Sequence, residues 1–191
     1  MRLNIHNETA TLKTVVFGIP DSFGGTPNLQ DCYDPKSKIY VASGEFPTQD
    51  DITLEMESVA DVFRKYNVEV LRPKNIENLN QIFARDIGFV VGKSFFVPNI
   101  IVDREEESKA ILHILDQIDE SDIVRMPSQT RTEGGDVMVH NDYVFVGYSK
   151  EEDFNTYTVA RTNQAALDFL KENIKAKKVI GFELNKSDQD P

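Results

Sequence analysis

The chain has 191 residues, 40% of them hydrophobic, with a formal net charge of −11 and a pI of about 4.7. That length suits one domain, or two small ones, with a sizeable core. The negative charge repels phosphate backbones and argues against nucleic acid as a partner. A single cysteine, Cys32, leaves no disulfide framework within the chain and fits a reducing compartment. The first residues, Met1-Arg2-Leu3-Asn4-Ile5-His6, lack the apolar stretch of a signal peptide. The most apolar run, residues 87–102, is broken by Lys93, Ser94, Pro98 and Asn99, too interrupted to span a membrane. The expectation is a soluble cytoplasmic protein.

In chain order, residues 12–19 read as a buried strand, β-branched, apolar and closed by Pro20. Residues 20–37 are polar and rich in turn formers, and read as a long loop. Ile39-Tyr40-Val41 reads as a short second strand. Asp50 or Asp51 is placed to cap a helix whose apolar face carries Ile52, Met56, Val59, Phe63 and Tyr66. Asn67 ends it, and residues 68–71 form the next strand before Pro73. Strands follow at 87–91 and 95–97 around a Gly92-Lys93-Ser94 turn. A helix is expected over about 104–118, with Ile111, Leu115 and Ile118 on one face, and a strand over 122–125. Strands at 136–140 and 143–147 flank the turn Asn141-Asp142. The polar stretch 149–157 reads as an insertion. A helix at roughly 158–173, carrying Ala166, Leu170 and Ile174, and a strand over 178–182 close the series before a polar tail.

A strand–strand–helix–strand unit thus occurs about three times. The fold class is α/β, one domain over 1–191 with modules at about 8–73, 74–126 and 127–185. Repeated units of this size bury their faces only against neighbours. Three of them leave an open flank, so either the chain is a fragment or a partner, such as a second copy in a homo-oligomer, covers it. Two acidic stretches mark the repeat. Phe83-Ala84-Arg85-Asp86 precedes Ile87-Gly88-Phe89-Val90-Val91, and Thr132-Glu133-Gly134-Gly135-Asp136 precedes Val137-Met138-Val139. Each sets a carboxylate at the mouth of a hydrophobic strand, a way to gather acids around one cationic, planar substrate.

These residues, together with Leu12-Lys13-Thr14-Val15-Val16-Phe17-Gly18, Val146-Gly147 and Arg161-Thr162-Asn163, resemble the pentein superfamily of guanidine-modifying enzymes over about residues 8–182. The superfamily includes arginine deiminases, dimethylarginine dimethylaminohydrolases and amidinotransferases. The resemblance implies a five-bladed α/β propeller of which about three modules are present. It implies a cysteine thiolate that attacks the guanidinium carbon and a proton-shuttling histidine. No His, Cys and Asp pattern in the sequence has metal-ligand spacing, so no metal is expected, and no cofactor. The partner implied is a small guanidino molecule such as arginine or a methylated arginine. The family's His-Leu-Asp motif and late cysteine have no counterpart before Pro191 and are expected beyond it, so the chain alone is expected to be inactive.

Mapped by motif, Asp86 is a guanidinium-binding and catalytic carboxylate. Glu133 is catalytic, orienting the histidine or contacting the guanidinium. Arg104 and Arg161 are candidates for the substrate's α-carboxylate. Asp136 is read first as a turn-and-strand residue and kept as a binding candidate. Each has a plainer alternative. Asp86 could pair with Arg85, Glu133 could support its glycines, Arg104 could pair with Asp103 or Glu105 to Glu107, and Arg161 could be a solvated helix residue. Cys32 lacks a neighbouring base and is read as incidental. His140, at a strand end, is a weaker candidate for a base. Hydrolase and amidinotransferase are not separated by these residues. A non-catalytic binding protein on the same fold, like the ribosome anti-association factors, is the alternative from another class.

Overall fold

The computed structural model describes residues 1–32, 35–150 and 161–184. Most of the expected insertion (151–157), the expected start of the last helix (158–160) and the tail (185–191) lie outside the described residues. The chain forms two compact units. One comprises Met1–Ala10, Arg85–Glu105 and Leu115–Pro191, the other Thr11–Ala84 and Glu106–Ile114.

In the second unit, β1 (Thr14–Val16) pairs in parallel with β2 (Glu69–Leu71), Val15 lying opposite Val70. The strand expected over 12–19 is shorter, and half-buried rather than buried. Past Phe17 the chain leaves the pairing: at Gly18 an added Cβ would lie 1.9 Å from the Ile82 carbonyl oxygen, and Ile19 bridges to Gln81.

The expected strand at 39–41 is instead helical, within α1 (Pro35–Ser43). Pro35 suits a first helical turn. Gly44, at φ +74, supplies the left-handed stop and returns its amide to the Val41 carbonyl at 3.2 Å. With Ile39 and Tyr40 both exposed, β-branching has no sheet surface to pack on and these local end signals decide.

Helix α2 (Gln49–Lys65) is capped by Thr48 rather than by Asp50 or Asp51. The Thr48 hydroxyl accepts from the Asp51 amide while the Asp51 carboxylate accepts from the Thr48 amide, a capping box that satisfies two otherwise orphaned donors. The Thr48 hydroxyl and amide hold the Asp51 carboxyl below its ordinary value. The helix buries Met56 and Ala60, with Ile52 and Phe63 half-buried beside them. Val59 and Tyr66, expected on that face, are exposed. Asn67, at φ +57, ends the helix as expected, and Phe63 meets Phe17 edge-on at 5.5 Å.

The first unit holds two sheets with one pattern. In one, β3 (Phe89–Val91) runs antiparallel to β4 (Ser94–Val97), which runs parallel to β5 (Ile123–Arg125). In the other, β6 (Val137–His140) runs antiparallel to β7 (Tyr143–Tyr148), which runs parallel to β8 (Lys178–Glu183). Gly92 (φ +61) and Asn141 (φ +50) turn the two hairpins. Parallel neighbours need a crossover. The second is α4 (Gln164–Asn173), N-capped by Asn163. The first, expected as an α-helix over 104–118, is a 3-10 helix over Val102–Ile111 with only α3 (Leu112–Leu115) in α form, and its stretch Glu106–Ile114 belongs to the second unit. Its tight winding is set in the first turn, where the Arg104 amide donates to the Ile101 carbonyl at 2.9 Å. Ile111, Leu115 and Ile118 are nevertheless buried.

The core of this unit lies where Phe89, Val91 and Phe96 meet Val137, Val139, Val144 and Val146 with Ala166, Leu167 and Leu170 of α4. Alternation along β6 points Val137 and Val139 inward and Met138 and His140 outward. Removing these apolar surfaces from water stabilises the unit by about 1.5–3 kcal/mol per fully buried side chain. The chain is a mixed α/β protein built of small sheets.

Candidate functional site

Asp86 and Glu133 both lie in the first unit, and backbone contacts hold their turns together. The Gly134 amide donates to the Asp86 carbonyl at 3.1 Å. Arg85 reaches across from the other side, Nε to the Gly134 carbonyl at 3.0 Å and Nη2 to the Val137 carbonyl at 2.9 Å and to Glu8 at 2.8 Å. The two glycines between Glu133 and Asp136 are what this approach needs. A Cβ on Gly134 would lie 2.1 Å from the Arg85 carbonyl oxygen, and one on Gly135 2.7 Å from Asp86 Oδ1. Arg85 is therefore a tie between the turns and not the partner of Asp86.

The partner of Asp86 is Arg104. Its Nη1 lies 2.9 Å from Asp86 Oδ2 and 3.2 Å from Glu133 Oε2, so one guanidinium bridges the two acids. Arg161 donates through Nη1 to both Glu133 oxygens, at 3.0 and 3.1 Å. Arg104 and Glu133 are 5% and 3% exposed, whereas Asp86 and Arg161 retain more access. Among the ion pairs described Arg104 meets both acids, and Arg161 precedes α4 rather than lying on it.

Among the ion pairs described the cluster has two carboxylates and two guanidiniums, whose formal charges cancel. Burial pushes the Glu133 carboxyl above its ordinary value. Arg161 first and Arg104 next oppose that rise, and the Asp86 charge adds to it.

The remaining candidates fall elsewhere. Asp136 accepts a hydrogen bond from the Thr162 hydroxyl at 2.6 Å. His140 ends β6 at the hairpin, the far end of that strand from Glu133. Cys32 lies in the second unit, buried beside the 3-10 turn Leu29–Asp31, its thiol 3.5 Å from the Asn28 carbonyl. Thr132 and Thr162, fully buried, were not singled out from the sequence, although each sits next to a candidate, in Thr132-Glu133 and Arg161-Thr162. Among the described residues no group of three His, Cys, Asp or Glu is placed to hold a metal ion, and no helix is long and apolar enough to cross a membrane.

No protein-family model matches the chain. An uncharacterized protein of Bacillus subtilis, YkgA, is 33% identical over 98 residues, which is 51% of this chain and 34% of that protein. Among solved structures, dimethylarginine dimethylaminohydrolase from Pseudomonas aeruginosa, in complex with citrulline, superposes with a TM-score of 0.68 at 13% identity. That match covers 93% of this chain and 63% of the hydrolase. Inosamine-phosphate amidinotransferase StrB1 from Streptomyces griseus gives 0.69 at 14%, covering 95% and 63%. The N-terminal domain of ArgZ, a cyanobacterial arginine dihydrolase, gives 0.68 at 12%, covering 92% and 59%. The chain shares its fold with these structures, which are members of the pentein superfamily. The chain spans about a third of the curated relative and about three fifths of these pentein structures. In this chain Asp86 precedes β3 and Glu133 precedes β6, the first strands of the two like-patterned sheets, and Arg104 joins the two acids.

Proposed function

We propose that this chain carries the carboxylate side of a guanidine-modifying site, in an enzyme acting on arginine or an arginine derivative as a hydrolase or an amidinotransferase. The observation that carries the reading is Arg104 bridging Asp86 and Glu133. A planar guanidinium already sits between the two acids through charge-assisted hydrogen bonds. In this reading a substrate guanidinium takes up Asp86. Glu133 orients and charge-stabilises a histidine. Arg104 and Arg161, released from the acids, receive the substrate's carboxylate. The neutral sum of the cluster favours a substrate that brings both charges over a bare alkylguanidine. The histidine and the thiolate are expected beyond residue 191. The thiolate would attack the guanidinium carbon, an amine would leave, and water or an acceptor amine would resolve the adduct. The three modules would be consecutive blades of a propeller, the compartment the cytoplasm, and Asp136 a supporting rather than a contacting residue.

The test is turnover and binding by the natural full-length product, its intact mass first compared with 21.7 kDa. L-arginine and its decarboxylated analogue would be the paired ligands. Binding that favours L-arginine and is lost in Asp86→Asn supports the reading. Indifference to both ligands would overturn it.

A second reading, a non-catalytic binding protein on the same fold, is favoured by one observation: the acids and arginines already satisfy one another. A full-length product that binds no guanidino ligand would select it.

A further inference from the structure

Behind the charge cluster lies a chain of hydroxyls. Thr162 Oγ1 donates to Asp136 Oδ2 at 2.6 Å and lies 2.7 Å from Thr132 Oγ1. A hydroxyl has one proton and a carboxylate only acceptors. The Thr162 proton therefore goes to Asp136, and the Thr132 proton goes to Thr162. The 2.6 Å length is that of a charge-assisted bond. Both threonines are buried, at 0% and 1% exposure. They are also the chain neighbours of the paired charges, Thr132 preceding Glu133 and Thr162 following Arg161. A bond between these hydroxyls fixes the segment bearing the acid against the segment bearing the arginine.

The rest of the Arg161-Thr162-Asn163 segment is held as closely. The Thr162 carbonyl accepts from the Ser149 amide at 2.9 Å. The Asn163 amide donates to the Arg131 carbonyl at 2.9 Å. The Asn163 side chain accepts from the amides of Arg131 (3.1 Å) and Ala166 (2.9 Å) and donates to the Gln129 carbonyl (3.1 Å). Arg161 thus departs from a fixed backbone point, and its long side chain needs only to extend onto Glu133.

We propose that Asp136, Thr162 and Thr132 form a positioning relay, in which the Asp136 carboxylate sets the direction of the hydroxyl chain and thereby registers Arg161 on Glu133. The geometric claim stands on the hydrogen bonds alone. Its consequence for substrate rests on the reading of Arg161 and Glu133 given above. Asp136 then acts through its neighbours and touches no substrate.

The experiment follows Glu133 itself in the full 191-residue chain, by carboxyl carbon NMR across a pH titration, with no substrate present. The groups facing Glu133 are Asp86, Arg104 and Arg161. Of these, Arg161 is the strongest influence holding its titration down, so loosening Arg161 moves the Glu133 midpoint upward. Asp136→Asn and Thr162→Val are each expected to give that upward shift. Thr162→Ser, which keeps the hydroxyl, is expected to restore the wild-type midpoint. Asp51, which titrates against Thr48 in the other unit, serves as the control and should not move. Should Thr162→Val fail to fold, the near-isosteric Asp136→Asn carries the same test. An unmoved Glu133 midpoint in folded Asp136→Asn, or a Thr162→Ser midpoint shifted as far as that of Thr162→Val, would overturn the relay. A chain that proves inactive on every guanidino substrate leaves this readout intact, so the two readings fail separately.

Discussion

The amide of Gly134 donates to the carbonyl of Asp86 at 3.1 Å, and that bond sets one acidic turn directly on the other. The turns approach closely enough that the position tolerates no side chain. Gly134→Ala places a Cβ 2.1 Å from the Arg85 carbonyl, a backbone atom that cannot swing aside. The expected cost is about 1–3 kcal/mol, as for overpacking elsewhere. Gly92→Ala, at φ +61 with open space around it, is expected to cost about 1 kcal/mol through backbone strain alone. Urea unfolding of the two variants checks the order, and a Gly134→Ala protein as stable as wild type would contradict the close packing of the turns.

Asp86 is the more accessible acid of the cluster, 19% exposed at its side chain against 4% for Glu133. As the proposed partner of a substrate guanidinium, it should matter to turnover. Asp86→Asn in the full-length protein is expected to lower kcat/KM by on the order of a hundredfold, measured on folded protein because the buried Arg104 loses one of its charged partners. An unchanged rate would remove Asp86 from the role.

Arg161 is held on Glu133 but keeps a partly exposed side chain. Arg161→Ala is expected to raise KM for substrates that carry a carboxylate, with a smaller effect on decarboxylated analogues. Equal losses on both would take it out of carboxylate recognition.

Burial raises the Glu133 carboxyl above its ordinary value of 4.5. The folded chain therefore holds that proton more tightly than the unfolded chain does. By linkage, the Glu133 contribution to stability falls as pH rises from about 4.5 through the raised folded value, and is flat on either side. Unfolding free energies of wild type and Glu133→Gln, measured across that window, should differ by an amount that changes with pH in this sense. A pH-independent difference would contradict the burial of a titrating acid there.

Much of the fold is written locally. The hydrophobic alternation of Val137 and Val139 against Met138 and His140, the turn residues Gly92 and Asn141, and the stop at Asn67 appear in the structure where periodicity and turn chemistry place them. Local signals also misled. Ile39-Tyr40-Val41 has the composition of a strand, yet it lies in α1 between Pro35 and Gly44, because no sheet surface is there to receive it.

By itself the sequence determined the two strand hairpins around Gly92 and Asn141, the parallel strand that follows each, and the acids that precede them, since all of these follow from residue order over a few positions. Tertiary structure alone decided how the charges are shared. Arg104 reaches Asp86 and Glu133, Arg161 settles on Glu133, and Asp136 turns to Thr162. The partners chosen are 18 to 29 residues away in the chain. Burial is the physical reason: a charge removed from water must be met by whichever opposite charge the packing brings within 3 Å or so, and sequence distance has no part in that choice.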